Sequence, residues 1–528
     1  MSTDAQHVGT RRKLIEVALP LQKINEAAAA KRPVKHPWSM SYWWARRPLP
    51  VARAVLFAQL VDDPSSDPAL SPDEVLARRR ELHELLEELV IWDKTNNERV
   101  LERARIEILK STGGNPPPVF DPFAGGGTIP LEAQRLGLTA HASDLNPVAV
   151  LINKALVEIP PKFAGQPPVY PGAAAEQITS WPRANGLAED VRRYGQWMRD
   201  EAENRIGHIY PKATLSNGSQ ATVIAWIWAR TIKCPNPACG IRMPLVRSWW
   251  LSKKKGKEAY AVPSVQHGKV HFEIARDPGQ APPNVDVGTM SGKRGGICVG
   301  CGSVAETDYI KAEGRHGRLG EQLIATIVDD HRRKAYLPPT PDQESAAEIS
   351  RPPDVPDQEL GYHPKDVWTP PYGLTRFSDL FTHRQLNAIT VLSDLIMVTR
   401  DRVLTDALLA GLPEELDSNR ITASGYADAI ATYLALALNR AVDNGSSITT
   451  WHNKNEQIRS TFSRQAISMS WDFLEPNLLS NSLGSWSAHL KLVVDGIPTL
   501  PAYPRASAHQ AAAESADFTG YRDCCTFR

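Results

Sequence analysis

Four of the six cysteines fall into two closely spaced pairs that could bind a metal ion. Four residues separate Cys234 from Cys239, and two residues separate Cys298 from Cys301. Prolines and glycines beside both pairs allow the tight turns that bring two thiolates onto one ion. Four thiolates complete a tetrahedral zinc site and leave no coordination position for a substrate, so the spacing predicts a structural zinc. The alternatives are four ordinary thiols, or a redox pair at Cys298 and Cys301, although no thioredoxin-like pattern surrounds that pair.

A glycine-rich segment at 121–128 has the pattern of a ligand-binding turn between a strand and a helix. A short apolar run ends in Asp121, and three consecutive glycines, Gly125–Gly127, then allow the backbone to turn sharply and approach a ligand closely. Thr128 is the expected N-cap of the following helix, which has an apolar stripe at helical spacing. The segment lacks both the G-x-G-x-x-G spacing of dinucleotide-binding folds and the Gly-Lys-Ser/Thr of phosphate loops.

A second predicted strand ends at Asp144, about 20 positions after the glycines. Residues 116–160 are therefore predicted to form two strands and the intervening helix of one parallel sheet, with the glycine turn at its carboxyl edge. An acid at this position can accept hydrogen bonds from ribose hydroxyls. The alternative is a generic α/β turn with a capping aspartate.

The segment 121–128 resembles the D-P-F-x-G-x-G-T signature of amino-methylating DNA methyltransferases. In that family the glycine turn lies under S-adenosylmethionine, and the acid after the second strand binds its ribose. The resemblance implies an α/β fold built on a Rossmann-like S-adenosylmethionine-dependent methyltransferase sheet, complete or incomplete, with helical N-terminal and C-terminal regions beside it. The residues that it implies for cofactor binding are Asp121, Pro122, Phe123, Gly125, Gly127, Thr128, Asp144 and Asn146.

An upstream segment resembles a second element of these enzymes, H-P-x-x-K-P, which packs beside the methionine end of the cofactor. His36-Pro37 and Arg47-Pro48 match a stretched version with nine intervening residues, so His36 and Pro37 are implied in cofactor binding. The surrounding H-P-W…W-W-A-R-R-P-L text is similar to large bacterial proteins that join an uncharacterised N-terminal domain to an adenine-specific DNA methyltransferase. Arg46 and Arg47 on an apolar face predict an anionic partner such as a carboxylate or a phosphate, whereas the tryptophans can be plain core.

The stretch from Arg230 to Lys257 contains eight lysines and arginines and no acidic residue, interleaved with Trp249 and Trp250. A basic, aromatic, metal-bound module of this kind can follow a phosphate backbone, so DNA is the expected partner; the alternative is a solvated loop. The 58 residues between the two cysteine pairs are expected to form a poorly packed basic hairpin. The residues predicted to contact nucleic acid are Arg46, Arg47, Arg247, Lys253, Lys254, Lys255 and Lys257.

Amino-methylation needs a further motif, Asp, Asn or Ser followed by Pro-Pro and an aromatic residue, which holds the target amine and stacks on the flipped base. The chain has one similar segment, Thr369-Pro370-Pro371-Tyr372, a weak candidate because threonine departs from the family pattern. The irregular pattern after residue 491 is typical of a truncated chain, so a partner chain could supply the motif. The chain alone is expected to bind S-adenosylmethionine weakly or not at all, and not to methylate DNA.

Three functions are compatible with these motifs. The first is an adenine-N6 DNA methyltransferase, or an inactive fragment of one; the lack of a Pro-Cys pair argues against cytosine-C5 chemistry. The second is a non-catalytic nucleic-acid-binding subunit of a restriction-modification or phage-defence system. The third is an RNA or small-molecule methyltransferase, because related signatures occur in enzymes that act on RNA.

More than one domain must position these residues, since a single core stops growing at about 250–300 residues and the chain has 528. Lysine plus arginine (60) balances aspartate plus glutamate (59), so any basic surface is local. The low cysteine content, and the lack of a signal-peptide or membrane-span pattern, predict a cytoplasmic protein without membrane contact. The predicted segments are a helical N-terminal domain (1–115), the cofactor-binding part (116–229), a zinc-ribbon insertion (230–335), a Pro-rich linker (336–371), a helical region returning to the methyltransferase core (372–490) and an irregular tail (491–528).

Overall fold

The computed structural model describes residues 11–31, 33, 36–176, 180–290, 295–331, 333–414, 421–514 and 525–526. The described chain is a mixed α/β protein with several separate sheets. It divides into two compact units. Unit one comprises Met1–Arg192, Arg400–Leu436 and Leu492–Arg528, and unit two comprises Arg193–Thr399 and Ala437–Lys491.

The helices and strands of the described residues are numbered in chain order. The α-helices are α1 (Leu14–Val17), α2 (Leu21–Ala29), α3 (Leu49–Leu60), α4 (Pro72–Leu89), α5 (Glu98–Ser111), α6 (Thr128–Arg135), α7 (Pro147–Asn153), α8 (Ile159–Lys162), α9 (Asn185–Ile206), α10 (Thr307–Arg315), α11 (Pro341–Ser345), α12 (His383–Leu409), α13 (Ala423–Asn444) and α14 (Trp486–Gly496). The strands are β1 (Val119–Asp121), β2 (Ala140–Asp144), β3 (Ala213–Thr214), β4 (Gln220–Ala221), β5 (Val223–Lys233), β6 (Arg242–Leu245), β7 (Trp250–Ser252), β8 (Ala259–Gln266), β9 (Lys269–Ala275), β10 (Gly296–Ile297), β11 (Val304–Ala305), β12 (Gly320–Asp330), β13 (Arg333–Leu337), β14 (Thr450–His452), β15 (Gln457–Arg459), β16 (Asp472–Pro476), β17 (Ala506–Gln510) and β18 (Cys525–Thr526). Within the described ranges, no helix has both the length and the apolar character that a membrane crossing requires.

Unit one contains a parallel sheet of four strands in the order β17-β2-β1-β18. All three residues of β1 are buried, as expected for a short strand with a neighbour on each side. Helix α6 connects β1 to β2, because parallel neighbours need a crossover between them. The prediction of two parallel strands and a helix within 116–160 is therefore confirmed.

The N-terminal helices contribute to the same hydrophobic core as this sheet. Helix α3 is almost continuously apolar, and most of its residues are buried. Its Phe57 belongs to one buried cluster with Leu86 of α4, Leu101 of α5, Val119 of β1 and Leu136. Each such side chain contributes about 1.5–3 kcal/mol when it is removed from water, so the N-terminal helices and the sheet stabilise one another.

The tail, which the sequence predicts to be irregular, supplies two strands of this sheet. β17 runs parallel to β2, from Ala506 opposite Ala140 to Gln510 opposite Asp144. Only one residue of β17 is buried, so the strand lacks the alternation that would have signalled it. The tail is thus irregular only in part, and its residues 515–524 and 527–528 lie outside the described residues.

Unit two is built on an antiparallel sheet in the order β13-β12-β5-β16, with β6 also paired to β5. Ten consecutive residues of β5, starting at Val223, are buried, because this central strand has neighbours on both sides. The segment between the cysteine pairs forms a second sheet, β7-β8-β9. Its Trp249, Tyr260 and Phe272 are at most 5% exposed and join the core around β5. The prediction of a poorly packed hairpin is therefore wrong, because the lysines at 253–257 lie between β7 and β8, whereas alternate apolar residues of β9, Val270 and Phe272, are buried.

Candidate functional site

The glycine turn joins the carboxyl end of β1 to the start of α6. Gly125 and Gly127 have φ values of +48° and +75°, a region that residues with a Cβ atom rarely adopt. A Cβ atom at Gly125 would lie 2.7 Å from Nε1 of Trp43, and one at Gly127 would lie 2.9 Å from Oδ1 of Asn153. Both glycines are therefore required by the backbone conformation and by close packing.

Asp144 at the end of β2 is fixed against this turn. Its Oδ2 accepts a hydrogen bond from the backbone N–H of Gly125 at 2.8 Å, and its Oδ1 accepts one from Asn146 at 2.9 Å. Asn146 caps α7, because its side chain accepts from the N–H of Val148 at 2.9 Å. A carboxylate oxygen has more than one acceptor site, so the partly exposed Asp144 can still accept hydrogen bonds from a ligand.

Asp121 lies at the same edge and is only 4% exposed. Its Oδ1 accepts from the backbone N–H of Phe123 at 3.0 Å. Burial raises the pKa of Asp121 to about 6, and the negative charge of Asp144 adds to the rise. A buried carboxylate whose surroundings disfavour its charged form is typical of a functional site.

Two large apolar side chains are exposed beside these acids. Phe123 is 68% exposed and Leu145 is 69% exposed, whereas Pro122 between the turn and β1 is buried. Apolar side chains that flank a small number of polar groups are typical of small-molecule sites. The structure thus brings together, at one sheet edge, the predicted residues from Asp121 to Gly127 with Asp144 and Asn146.

The tryptophan-rich N-terminal segment packs directly on the glycine turn. The Trp43 ring lies against Gly125 and Gly126 and stacks on Trp44, with ring centroids 4.5 Å apart. The Thr128 hydroxyl donates to the backbone carbonyl of Arg47 at 3.2 Å. Thr128 is therefore the first helical residue, and its predicted N-cap role is wrong, because Gly127 occupies that position without a side-chain cap.

A buried ionic triad, which sequence analysis did not identify, joins the N-terminal helices to the helix that follows the turn. Arg53 of α3 donates to Glu132 of α6 at 2.5 Å, and both side chains are fully buried. Arg135 donates to the same carboxylate at 3.3 Å, and the two arginines lower the pKa of Glu132 against the opposing effect of burial. Arg53 also donates to the carbonyl of Leu89 at 2.6 Å. The signal in the sequence was an arginine in the middle of a helix that is otherwise apolar except for Gln59.

His36 and Pro37 lie in a buried turn of unit one. The Nδ1 atom of His36 accepts from the N–H of Trp38 at 3.2 Å, and its ring meets Trp92 edge-on at 4.8 Å. Pro37 begins the 3-10 turn Pro37–Ser39. Their role in cofactor binding stays a prediction.

Arg46 is held by its own segment. It donates to the carbonyls of Trp38 and Ser41, and its guanidinium lies 5.7 Å from the centroid of the Trp38 ring and 5.6 Å from that of Tyr42. Carbonyls and aromatic rings are thus among the partners of Arg46, and the anionic partner that its position on an apolar face predicted stays a prediction. Arg47 is exposed.

The four predicted metal ligands come together in unit two. The hairpin β5–β6 carries Cys234 and Cys239, and the hairpin β10–β11 carries Cys298 and Cys301. All four Sγ atoms lie within 4.8 Å of one another, a spacing that can hold a metal ion. Burial raises the pKa of Cys234 to about 12, whereas the hydroxyl of Ser303 lowers the pKa of Cys301 to about 6. A divalent cation at the centre would favour the thiolate form of all four.

The weak catalytic candidate, Thr369 to Tyr372, packs into unit two. Thr369 is fully buried, and its hydroxyl has no hydrogen-bond partner within the described chain. Pro370 and Pro371 form a 3-10 turn with Tyr372, whose ring meets Trp471 edge-on at 5.0 Å. The described structure gives the Thr369 hydroxyl no access to solvent, and its catalytic role stays a prediction.

The predicted nucleic-acid contacts in unit two are at its surface, and three of them have carboxylate partners. Pairs of this kind contribute little to stability, so a phosphate can replace the carboxylate at low cost. Lys255 and Lys257 are exposed. The pairs are Arg247–Asp472, Lys253–Asp286 and Lys254–Glu456.

Comparison with known families gave a match to a short part of the chain. Residues 18–85, which include the helices α2 and α3 and most of α4, match a family described as a protein of unknown function (DUF1156). Searches of the curated proteins and of the solved structures gave no match to the chain.

Proposed function

We propose that unit one is the cofactor-binding part of an S-adenosylmethionine-dependent amino-methyltransferase that acts on N6 of adenine in DNA. The observation that carries the proposal is the sheet edge at which the glycine turn, Asp121 and Asp144 meet. The resemblance of segment 121–128 to the D-P-F-x-G-x-G-T signature supplies the substrate class. Neither the DUF1156 match nor the fold of unit one by itself implies methyl transfer.

The residues of this edge fit such a cofactor. Asp144 has acceptor sites left for ribose hydroxyls, and the exposed Phe123 and Leu145 offer apolar surface to a purine ring. The two neighbouring carboxylates favour a ligand with positive charge, such as a sulfonium and an ammonium group. When bound, S-adenosylmethionine supplies an activated methyl group. Asp121 and Asp144 orient the ligand, and the turn at Gly125–Gly127 holds Asp144 at this edge through the hydrogen bond from the N–H of Gly125.

In unit two we propose a structural zinc at the four cysteines and a DNA-binding surface that includes Lys255 and Lys257. Thiolates prefer zinc, and four of them leave no open position, so the metal stabilises the fold and takes no part in the reaction. A partner chain is proposed to supply the residues that hold the target amine.

Photolabelling with tritiated S-adenosylmethionine tests the cofactor proposal, because it detects weak binding to the full chain. We expect Asp144→Ala to lower the labelling about tenfold, since hydrogen bonds to a charged group contribute about 1.5–3 kcal/mol. Asp93→Ala, which changes an exposed aspartate of the same unit, is the matched control and should label like the wild type. Labelling that is absent in the wild type, or equal in Asp144→Ala, would contradict the proposal.

A second candidate function is nucleic-acid binding without methyl transfer. The complete burial of Thr369 favours it, because no described segment then presents a motif of the amine-binding type. A methyl-transfer assay on duplex and single-stranded DNA separates the two functions. Robust incorporation that Asp121→Ala abolishes would favour a complete enzyme, whereas cofactor-independent DNA binding with no incorporation would favour the second function.

A further inference from the structure

Unit two contains a cleft of which only one side, at Arg247, Trp249 and Trp250, belongs to the stretch predicted to follow a phosphate backbone. It has a volume of about 350 Å³ and lies where the hairpin β14–β15 meets the segment around β7. This volume falls in the range of small-molecule sites, about 300–1,000 Å³. Apolar side chains line much of it, including Ile227, Ile324, Trp250 and Trp451.

Hydrogen bonds between the two walls hold the cleft in shape. The Trp451 indole N–H donates to the carbonyl of Leu251 at 2.7 Å. The Asn453 side chain donates to the carbonyl of Trp250 at 3.3 Å, and the carbonyl of Asn453 accepts from the N–H of Lys253 at 3.0 Å. The aromatic walls are therefore fixed before a ligand arrives, which lowers the ordering cost of binding.

The residues that line the cleft carry more positive than negative charge. Asp472 is the one carboxylate among the lining residues, and it is already engaged, since the backbone N–H and Nε of Arg247 both donate to it, at 3.1 and 3.3 Å. Lys454 and Arg459 also line the cleft and are exposed, and within the described ranges neither makes an ion pair. The cleft thus combines tryptophan rings with two uncompensated cations.

We propose that this cleft binds a nucleotide, with the base against Trp250 and Trp451 and the phosphate at Lys454 and Arg459. Aromatic rings accept the flat face of any base, and lysine and arginine supply the charge that a phosphate requires. The nucleotide can be free or part of a single strand, because the recognition chemistry is the same. The inference deepens the DNA-binding surface proposed for unit two and rests on that part of the proposed function. It does not depend on the cofactor proposal, because the cleft lies in unit two and Asp144 lies in unit one.

Fluorescence anisotropy of a labelled 12-nucleotide DNA strand, measured with the full chain at several salt concentrations, tests this proposal. The double variant Lys454→Ala/Arg459→Ala should bind at least tenfold more weakly and should show a salt slope smaller by about 1.4, since each phosphate contact on a single strand contributes about 0.7. Lys365→Ala removes an exposed lysine of the same unit and should leave binding unchanged.

The tryptophan wall is tested by a conservative pair of substitutions. Trp451→Leu removes the ring and should weaken binding about 5-fold to 150-fold, whereas Trp451→Phe keeps an aromatic face and should retain most of it. Melting curves show whether each variant folds. If Trp451→Leu fails to fold, the double variant Lys454→Ala/Arg459→Ala still tests the proposal, because it changes only exposed side chains.

Competition identifies the source of the nucleotide. Displacement of the labelled strand by deoxyadenosine monophosphate supports a site for free nucleotides, and displacement only by unlabelled strands supports a strand site. Equal displacement by inorganic phosphate, or wild-type affinity in both the cation double variant and Trp451→Leu, would overturn the proposal. Loss of strand binding with intact photolabelling, or the reverse, shows which of the two proposals fails.

Discussion

Asp121 makes unit one less stable at neutral pH, and Asp121→Asn should therefore stabilise it. Asp121 is 4% exposed, and burial of its carboxyl group together with the charge of Asp144 raises its pKa from 3.8 to about 6. The folded state thus binds a proton more tightly than the unfolded chain does. Between these two pKa values stability falls as the pH rises, and the penalty is fully present above pH 6.

The magnitude follows from the two pKa values. A rise from 3.8 to about 6 corresponds to a penalty of about 3 kcal/mol at pH 7.5, about half of that at pH 5, and little near pH 4. Asparagine is neutral, and its Oδ1 can still accept the hydrogen bond from the N–H of Phe123. Asp121→Asn should therefore raise the free energy of unfolding by up to about 3 kcal/mol at pH 7.5, with a gain that disappears toward pH 4.

Hydrogen exchange of peptides that contain β1 and β2 measures this effect in unit one alone, which matters because a chain of two units need not unfold in one step. Protection factors are compared between Asp121→Asn and the wild type from pH 4.5 to pH 8. The difference in protection between variant and wild type cancels the pH dependence that other buried groups contribute. One such group is Asp190, because burial raises its pKa to about 6 as well. Asp93→Asn is the matched exposed control. A gain that is absent at pH 7.5, or that stays constant with pH, would refute the reasoning.

Three further predictions concern the metal ligands, the buried ionic triad and the glycine turn. Chelation of the metal, or Cys298→Ser, should lower the melting temperature of unit two, and metal analysis of the purified wild type should give one zinc per chain. Glu132→Gln should cost about 3–5 kcal/mol in urea unfolding, because it leaves two buried arginines without a counter-charge, whereas an exposed glutamate changed in the same way should cost almost nothing. Gly125→Ala should destabilise unit one by more than Gly165→Ala, since both have positive φ but only the first Cβ would meet the Trp43 ring; equal effects on hydrogen exchange would show that Trp43 does not pack there.

The parts of the fold that the sequence predicted are local ones. The strand, glycine turn, helix and second strand within 116–160 lie within a few tens of residues, and each element has its own signal of apolar spacing or turn residues. The cysteine pairs were predictable for a similar reason, because each pair forms its own tight turn and tetrahedral coordination specifies how two pairs combine.

The parts that the sequence did not predict depend on distant pairing. β17 lies opposite β2 although more than 350 positions separate Ala506 from Ala140. Nothing in five small and polar residues specifies that partner. The packing of β7–β9 was missed because the four lysines between β7 and β8 concealed the apolar residues of the strands themselves. The nucleotide cleft was missed because its walls come from segments about 200 residues apart, joined by the hydrogen bond from Trp451 to Leu251.

The segment that matches DUF1156 is physically part of the glycine-turn site. Its helix α3 shares the fully buried Arg53–Glu132 ion pair with α6, the helix that begins directly after the turn. Just before α3, the carbonyl of Arg47 accepts from Thr128, and Trp43 covers Gly125. If this segment were separated from the turn and α6, a buried charge would lose its partner and apolar surface would be exposed, at a cost of several kcal/mol. The segment that matches DUF1156 and the glycine turn therefore have to fold together. We expect the segment to act through Trp43, which shapes access to the edge where Asp121 and Asp144 lie.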